Sequence, residues 1–362
     1  MLDFIIWDFS PELFSIGKLT PRWYGPLFAL GFIVGPIILG KIFKIEGRSQ
    51  KEADTINAYM IIGTVLGARL GHCFFYEPGY FLAHPIEILY IWQGGLASHG
   101  AGIGMLTAIW LYHRKNPSQS YLYLLDRIVL TVALGGCFIR LGNLTNSEII
   151  GIPANVPQGF VFVNSTTSAI RETFKGQVSD VSIKQNGTDS TMDGKYLTGV
   201  DIHMKVKSFG DGNIREMAQN NIRQTIYASP EYGEHIILAK GENSISIGEP
   251  GREGTEVVMR AWGIPRHPAQ LYESITCLLL FFLLAFVYSR YKAATPEGML
   301  FGIFMIWIFT LRFFYEFIKE DQVAFENSMQ FNMGQLLSIP MVLIGIIVLV
   351  RSLVKKKKNT VQ

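Results

Sequence analysis

Seven apolar stretches dominate this chain, each close to the roughly 20 residues that cross a bilayer as a helix. They lie near Trp23–Phe43, Ala53–Tyr76, Ile91–Tyr112, Leu122–Leu141, Leu271–Tyr288, Gly298–Phe317 and Met333–Val354. Hydrocarbon offers no partner for a backbone N–H or C=O, so spans of this kind must be helices that satisfy their own hydrogen bonds. The bulk composition agrees, with 49% apolar and 17% charged residues.

Basic residues set the expected orientation. Lys41, Lys44, Arg48 and Lys51 follow the first span, Arg114 and Lys115 the third, and Arg290 and Lys292 the fifth. Arg351 and Lys355 to Lys358 close the chain, whereas the stretch from Glu77 to Tyr90 has no Lys or Arg. Alternate loops agree, which predicts an N-terminus outside and a C-terminus in the cytoplasm. The start is not expected to be a cleavable signal, because it has no basic opening and carries Asp3 and Asp8.

Residues 152–262 are different in kind: polar and rich in Gly, Asn, Ser and Thr. Alternating runs at Gly159–Val163, Val200–Val206 and Ser244–Gly248 predict half-buried strands, with turns at Asn186-Gly187 and Asp211-Gly212. The expected fold is an all-α polytopic membrane protein of about seven helices. A mixed, β-containing insertion lies outside, between helices four and five. The expected division is 1–151, 152–262 and 263–362. Cys73, Cys137 and Cys277 all sit in or beside apolar runs, which predicts buried thiols and no disulfide framework. A net charge of +3 gives no reason to expect a nucleic-acid partner.

Polar groups at the outer ends of the spans are the candidates for chemistry, since ionisable residues at that depth are costly unless paired or solvated. The fourth span ends at Arg140, with Asn143, Asn146, Glu148 and Gly151 following. The third holds His99 among closely spaced glycines, and His is the side chain that takes a proton near neutral pH. Arg266 and His267, between Pro265 and Pro268, precede the fifth span, and Glu273 lies within it. Two arginines at one depth suit a forked, charge-assisted grip on phosphate. Arg69, in the second span, is read equally as a structural partner or a lining residue. No metalloprotease, serine-protease or P-loop motif occurs, and no metal or other cofactor is implied. An enzyme on an anionic phospholipid, a transporter or scramblase for one, and a membrane anchor for the external segment all remain open on these residues alone.

An ordered set of motifs resembles the prolipoprotein diacylglyceryl transferase family. It comprises Arg22-Trp23-Tyr24-Gly25, Gly67-Ala68-Arg69-Leu70-Gly71, His84-Pro85-Ile86-Glu87, Trp92-Gln93-Gly94-Gly95 and His99-Gly100. It continues with Arg140 to Gly151, Arg266-His267-Pro268-Ala269-Gln270-Leu271-Tyr272-Glu273 and Met333-Gly334-Gln335. The resemblance implies a bacterial inner-membrane enzyme with its site toward the periplasm. Such an enzyme moves the diacylglyceryl group of phosphatidylglycerol onto the lipobox cysteine of a prolipoprotein. It implies His99, Arg140 and Arg266 in catalysis, and Tyr24, Arg69, Asn143, Asn146, Glu148, Gly151, His267 and Glu273 in substrate binding. The chain departs from the usual pattern at Ile139, Leu144, Ser147 and His72. It lacks a proline at Lys319-Glu320-Asp321, and its external segment is longer than the norm.

Overall fold

The computed structural model describes residues 4–17, 20–91, 95–156, 158–192, 194–207, 214–228, 233–320 and 329–361. Trp92, Gln93, Gly94, the Asp211-Gly212 pair and Asp321 lie outside the described residues. In chain order the helices are α1 (Tyr24–Ile45), α2 (Gln50–Phe75), α3 (Pro78–Ala83), α4 (Ser98–Lys115), α5 (Tyr121–Asn146) and α6 (Asn164–Thr173). They continue as α7 (Ile214–Glu216), α8 (Arg223–Tyr227), α9 (Ala269–Tyr291), α10 (Met299–Tyr315) and α11 (Met333–Val361). The strands are β1 (Ile5–Trp7), β2 (Phe160–Phe162), β3 (Val178–Met192), β4 (Lys195–Val206), β5 (Ile236–Leu238), β6 (Ile245–Gly251) and β7 (Gly254–Gly263). Among the described residues six helices, α1, α2, α5, α9, α10 and α11, are long and apolar enough to cross a membrane. The residues form two compact units: 26–140 with 273–314 and 329–362, and 1–25 with 141–272 and 315–328.

The first of these is helical. Large apolar side chains such as Ile33, Ile62, Phe282 and Ile347 are more than half exposed, which suits surfaces bathed in lipid rather than water. Ser49 and Glu52 form a reciprocal capping box that starts α2. Glycines then let α2 and α4 meet backbone to backbone: a Cβ on Gly71 would lie 2.7 Å from the Cα of Gly100. The third expected span is a helix only from Ser98, not from near Ile91. Gly95, with φ of +68°, takes a conformation that a continuing helix cannot use. At one end of the unit the Glu46 carboxylate accepts from Arg127 at 2.9 Å, Tyr123 at 2.5 Å and Tyr288 at 3.0 Å. Asp126 accepts from the amides of Gly298 (2.7 Å) and Phe301 (2.8 Å), holding the start of α10. Every one of these buried charges is paired, as a low-dielectric interior requires.

The second unit is built on a five-stranded sheet of order β3-β4-β7-β5, with β6 also on β7. β4 shows why a strand forms: Val200, Ile202, Met204 and Val206 are buried while Asp201, His203 and Lys205 face outward. α6 and α8 contribute Ile170 and Ile226 to the same core. A separate parallel pair, β1 with β2, ties the start of the chain to this unit. The Asn186-Gly187 turn predicted above is not a hairpin turn. It lies inside β3, where Gly187 has φ of +79° and the register shifts between Gln185 and Asp189. Asn186 accepts there from the Thr188 amide at 3.1 Å, so the local turn is absorbed as a bulge while β3 and β4 pair as far as Met192 and Lys195. All three cysteines are free, with Cys73 and Cys137 buried.

Candidate functional site

The candidate residues divide between the two units. In the helical one, Arg69 is buried, and it donates to the carbonyls of Ile88 (2.9 Å), Glu87 (2.6 Å) and Gly95 (3.4 Å). Its guanidinium also lies over the Phe81 ring. Arg69 thereby fixes the segment after α2 against that helix. His99 stands exposed in the first turn of α4. Arg140, roughly 20 Å along α5 from Arg127, forms an ion pair with Glu273 of α9.

The other unit holds the rest. α5 ends in a tightly supported corner. Trp7 donates its indole N–H to the Leu144 carbonyl at 3.2 Å, and Gln270 donates to the Glu148 carbonyl at 2.5 Å. Glu148 follows at the surface, its carboxylate gripped by the amides of Asn143 (3.3 Å) and Asn146 (3.0 Å). The residues on either side of it, Ser147 and Ile149, have φ of +54° and +56°. For a β-branched residue that is a strained conformation, and here it brackets the acidic side chain. The Asn146 Oδ1 is buried without a hydrogen-bond partner among the described residues. Tyr24 packs against Gly142, where an added Cβ would come within 2.7 Å of its ring.

Gly151 is the tightest point. Its N–H donates to the His267 carbonyl at 3.0 Å, and the next residue, Ile152, donates to Ile318 at 3.0 Å. Three backbone segments, around 151, 267 and 318, thus run side by side with no room for a side chain between them. Arg266, four percent exposed, lies on this strip. Its Nη1 reaches the Gly151 carbonyl (3.3 Å) and forms an ion pair with Glu320, while Nη2 stands 3.8 Å from Glu234. Its Nε is buried with no acceptor among the described residues. His267 Nδ1 lies 3.4 Å from the Tyr272 hydroxyl, and burial lowers the affinity of His267 for a proton. His235, buried beside Arg266, is pushed down to about 3, first by burial and then by that positive charge.

Glu234, Glu320, Gln270 and Trp7 were not among the predicted site residues. Gln270 lies inside a quoted motif, and Glu320 lies three residues beyond Phe317. Nothing in the local sequence marks Glu234, whose partner is 32 positions away. No group of three or more His, Cys, Asp or Glu side chains among the described residues could hold a metal ion.

A family model described as prolipoprotein diacylglyceryl transferase matches residues 11–351. Three curated relatives carry the name phosphatidylglycerol–prolipoprotein diacylglyceryl transferase. The one from Chloroherpeton thalassium is 35% identical over 350 residues, covering 97% of this chain and 95% of its own length. Those from Tolumonas auensis and Porphyromonas gingivalis are 33% and 34% identical, covering 98% and 96% of this chain and 100% and 95% of their own. Coverage at that level includes residues 152–262, so these relatives carry a comparable segment. A match along nearly the whole chain, together with relatives above 30% identity, places this polytopic bacterial membrane protein in the prolipoprotein diacylglyceryl transferase family.

Proposed function

We propose that the chain takes the diacylglyceryl unit of phosphatidylglycerol and joins it to the lipobox cysteine of a prolipoprotein. It is a transferase of lipoprotein maturation. In the proposed step the cysteine sulfur attacks the glyceryl carbon, a thioether C–S bond forms, and the C–O bond to phosphate breaks. The leaving glycerol 1-phosphate gains about one negative charge. Cations aimed at that oxygen favour the transition state over the ground state, which is what catalysis requires. Arg140 and Arg266 are assigned that task.

The observation that carries the reading is Arg266 itself. A guanidinium four percent exposed and ion-paired with Glu320 through Nη1 keeps a buried Nε with no acceptor among the described residues, a donor left over for a further anion. Asn143, Asn146 and Tyr24 are assigned to the neutral part of the headgroup, and His267, Glu148 and Glu273 to holding these groups in place. Gly151 keeps the strip closed, and Arg69 holds the segment after α2. The thiol proton must leave as the C–S bond forms, because a free thiol is mostly protonated at neutral pH. His99, exposed and without a hydrogen-bond partner among the described residues, is assigned as the base. Orientation follows the basic loops: N-terminus outside, C-terminus in the cytoplasm, α4 as a seventh span of the inner membrane, and the 152–262 segment on the periplasmic side.

The test uses the full chain in detergent with phosphatidylglycerol and a synthetic lipobox peptide. Mass spectrometry should find a diacylglyceryl adduct on the peptide cysteine, absent with Arg140→Ala. His99→Asn should retain only a small fraction of the rate. An unmodified peptide with folded, lipid-loaded protein would reject the transferase and favour a carrier of intact lipid.

A further inference from the structure

The sheet-bearing unit leaves four buried side-chain atoms without a hydrogen-bond partner among the described residues: Asn146 Oδ1, His235 Nδ1, Arg266 Nε and Gln270 Oε1. Buried polar atoms are rarely left in this state, because each has given up its hydration for nothing. Two of the four are amide oxygens, and the other end of each amide fixes which atom is which. Gln270, one percent exposed, donates through Nε2 to the Glu148 carbonyl at 2.5 Å. Asn146 donates through Nδ2 to the Glu148 carboxylate at 3.0 Å. Turning either amide over would lose that bond, so both oxygens stay acceptors that face no donor. Arg266 Nε is the opposite case, a cationic donor that faces no acceptor. His235 Nδ1, near it, takes either role by tautomer. Arg266 is tied to the Gly151 carbonyl and Gln270 to the Glu148 carbonyl. Three residues of backbone hold those tie points within about 11 Å of each other.

We propose that Gln270, together with Asn146, selects the headgroup: their two amide oxygens accept the two hydroxyls of the headgroup glycerol, while Arg266 Nε donates to the phosphate. The inference rests on the reading of this site as one for phosphatidylglycerol, and it adds Gln270 as a residue that sets its specificity. The match is one of polarity and order. The headgroup offers an anion followed by two hydroxyl donors, and the strip offers a cationic donor followed by two acceptors. Those acceptors are neutral, and the Glu148 carboxylate already accepts on both oxygens from Asn143 and Asn146. A hydroxyl has no charge to desolvate, so it suits two buried amide oxygens better than an ethanolamine ammonium does. A site built this way also rejects a headgroup without hydroxyls, because its own buried acceptors then remain unpaired.

The experiment compares initial transfer rates by the full-length protein onto a synthetic lipobox peptide, in phosphatidylcholine vesicles carrying phosphatidylglycerol, phosphatidylpropanol or phosphatidylethanolamine. Phosphatidylpropanol keeps the phosphate and a headgroup of the same carbon count but has no hydroxyl. The wild-type protein should favour phosphatidylglycerol over each of the others by about thirtyfold or more in kcat/KM. Gln270→Met, similar in length but without the amide oxygen, should cut the preference over phosphatidylpropanol by about fivefold or more, and Asn146→Leu should do the same. A residue that only props the strip would slow both lipids alike and leave the ratio where it was. An unmoved ratio in either variant, shown by thermal melting to be folded, therefore overturns the inference. A wild-type preference below about threefold overturns it without any variant, as does transfer from phosphatidylethanolamine at the phosphatidylglycerol rate. If the wild-type protein makes no adduct from any of these lipids, the transferase reading itself fails and this inference falls with it. An active enzyme with an unmoved ratio rejects only the selection by Gln270 and Asn146.

Discussion

Gly151→Ala tests the strip that carries Arg266. A Cβ at this position would lie 2.5 Å from the His267 carbonyl oxygen, 2.6 Å from the His267 Cβ and 2.7 Å from the Ile318 carbonyl oxygen. Two of the three are backbone atoms, which cannot rotate aside as a side chain can. Restoring ordinary contact requires each neighbour to retreat by roughly 0.7–0.9 Å, and overpacking of this kind costs about 1–3 kcal/mol. The larger effect falls on chemistry. Gly151 donates to His267 and accepts from Arg266, so separating the segments displaces the guanidinium by a comparable distance. A misplacement near 1 Å is worth on the order of a hundredfold in rate. The expected result is therefore a protein that still folds, melts somewhat earlier and transfers about a hundredfold more slowly. Gly135→Ala is the matched control, because a Cβ there meets nothing within 4 Å. Thermal unfolding in detergent and adduct mass spectrometry read the two effects separately. A Gly151→Ala protein with wild-type melting and transfer within threefold of wild type would refute the argument that close approach at this glycine sets the site.

Three further outcomes are expected. Ile149→Asn should stabilise the protein by about 1 kcal/mol in denaturant or thermal unfolding, because Asn tolerates the left-handed backbone at φ +56° that strains a β-branched residue; a loss of stability would mean that Ile149 packing outweighs its strain. Arg69→Met should destabilise by about 3 kcal/mol, since three carbonyls of the segment after α2 lose a charged donor; unfolding at the wild-type temperature would contradict that anchoring role. His235, held near 3 in the fold against 6.5 when exposed, gives a signed pH dependence. The unfolded chain binds a proton there below pH 6.5 and the folded chain does not, so stability is complete above that pH and falls as pH drops toward 3. The slope is about 1.4 kcal/mol per pH unit, and a His235→Leu protein should show a flatter dependence of melting temperature between pH 6.5 and 4.

Much of this architecture is legible because its signals are local. Among the described residues six of the seven apolar runs fall in helices both long and apolar enough to cross a membrane, and alternation near residues 160, 202 and 246 marked real strands. Composition along a single stretch decides both. Where the reading failed, a neighbour decided instead. Asn186-Gly187 has the dipeptide of a tight hairpin, yet the pairing of β3 with β4 runs past it, because tertiary register outranks a two-residue preference. Residues 91–97 are apolar enough to extend a helix, but Gly95 ends that possibility and leaves His99 at a helix start. Glu46, Asp126 and Arg127 look like ordinary charges at span ends. Only their convergence, Glu46 reaching Arg127 and Asp126 reaching the start of α10, shows that they are buried and paired. The candidate site divides in the same way. Arg140, Asn143, Asn146, Glu148 and Arg266 stand out as polar groups at the edges of apolar runs. Glu234 and Glu320 do not, because each gains its meaning from an arginine 32 or 54 positions away.

That distribution has a physical logic. A site for an anionic headgroup needs a cation removed from water, since burial is what makes its charge count. The same burial makes the empty site costly, so the protein must supply its own anion and yet leave the ligand an edge to occupy. Glu320 meets the first need at Nη1, its amide donating to Ile150, and the Nε without an acceptor among the described residues meets the second. The amide pair on Glu148 follows a related rule. Asn143 and Asn146 are neutral donors, so they hold the Glu148 carboxylate without adding a charge of their own. On this view the affinity for anionic lipid is set less by how many cations face it than by which edge of the buried guanidinium its own carboxylate leaves open.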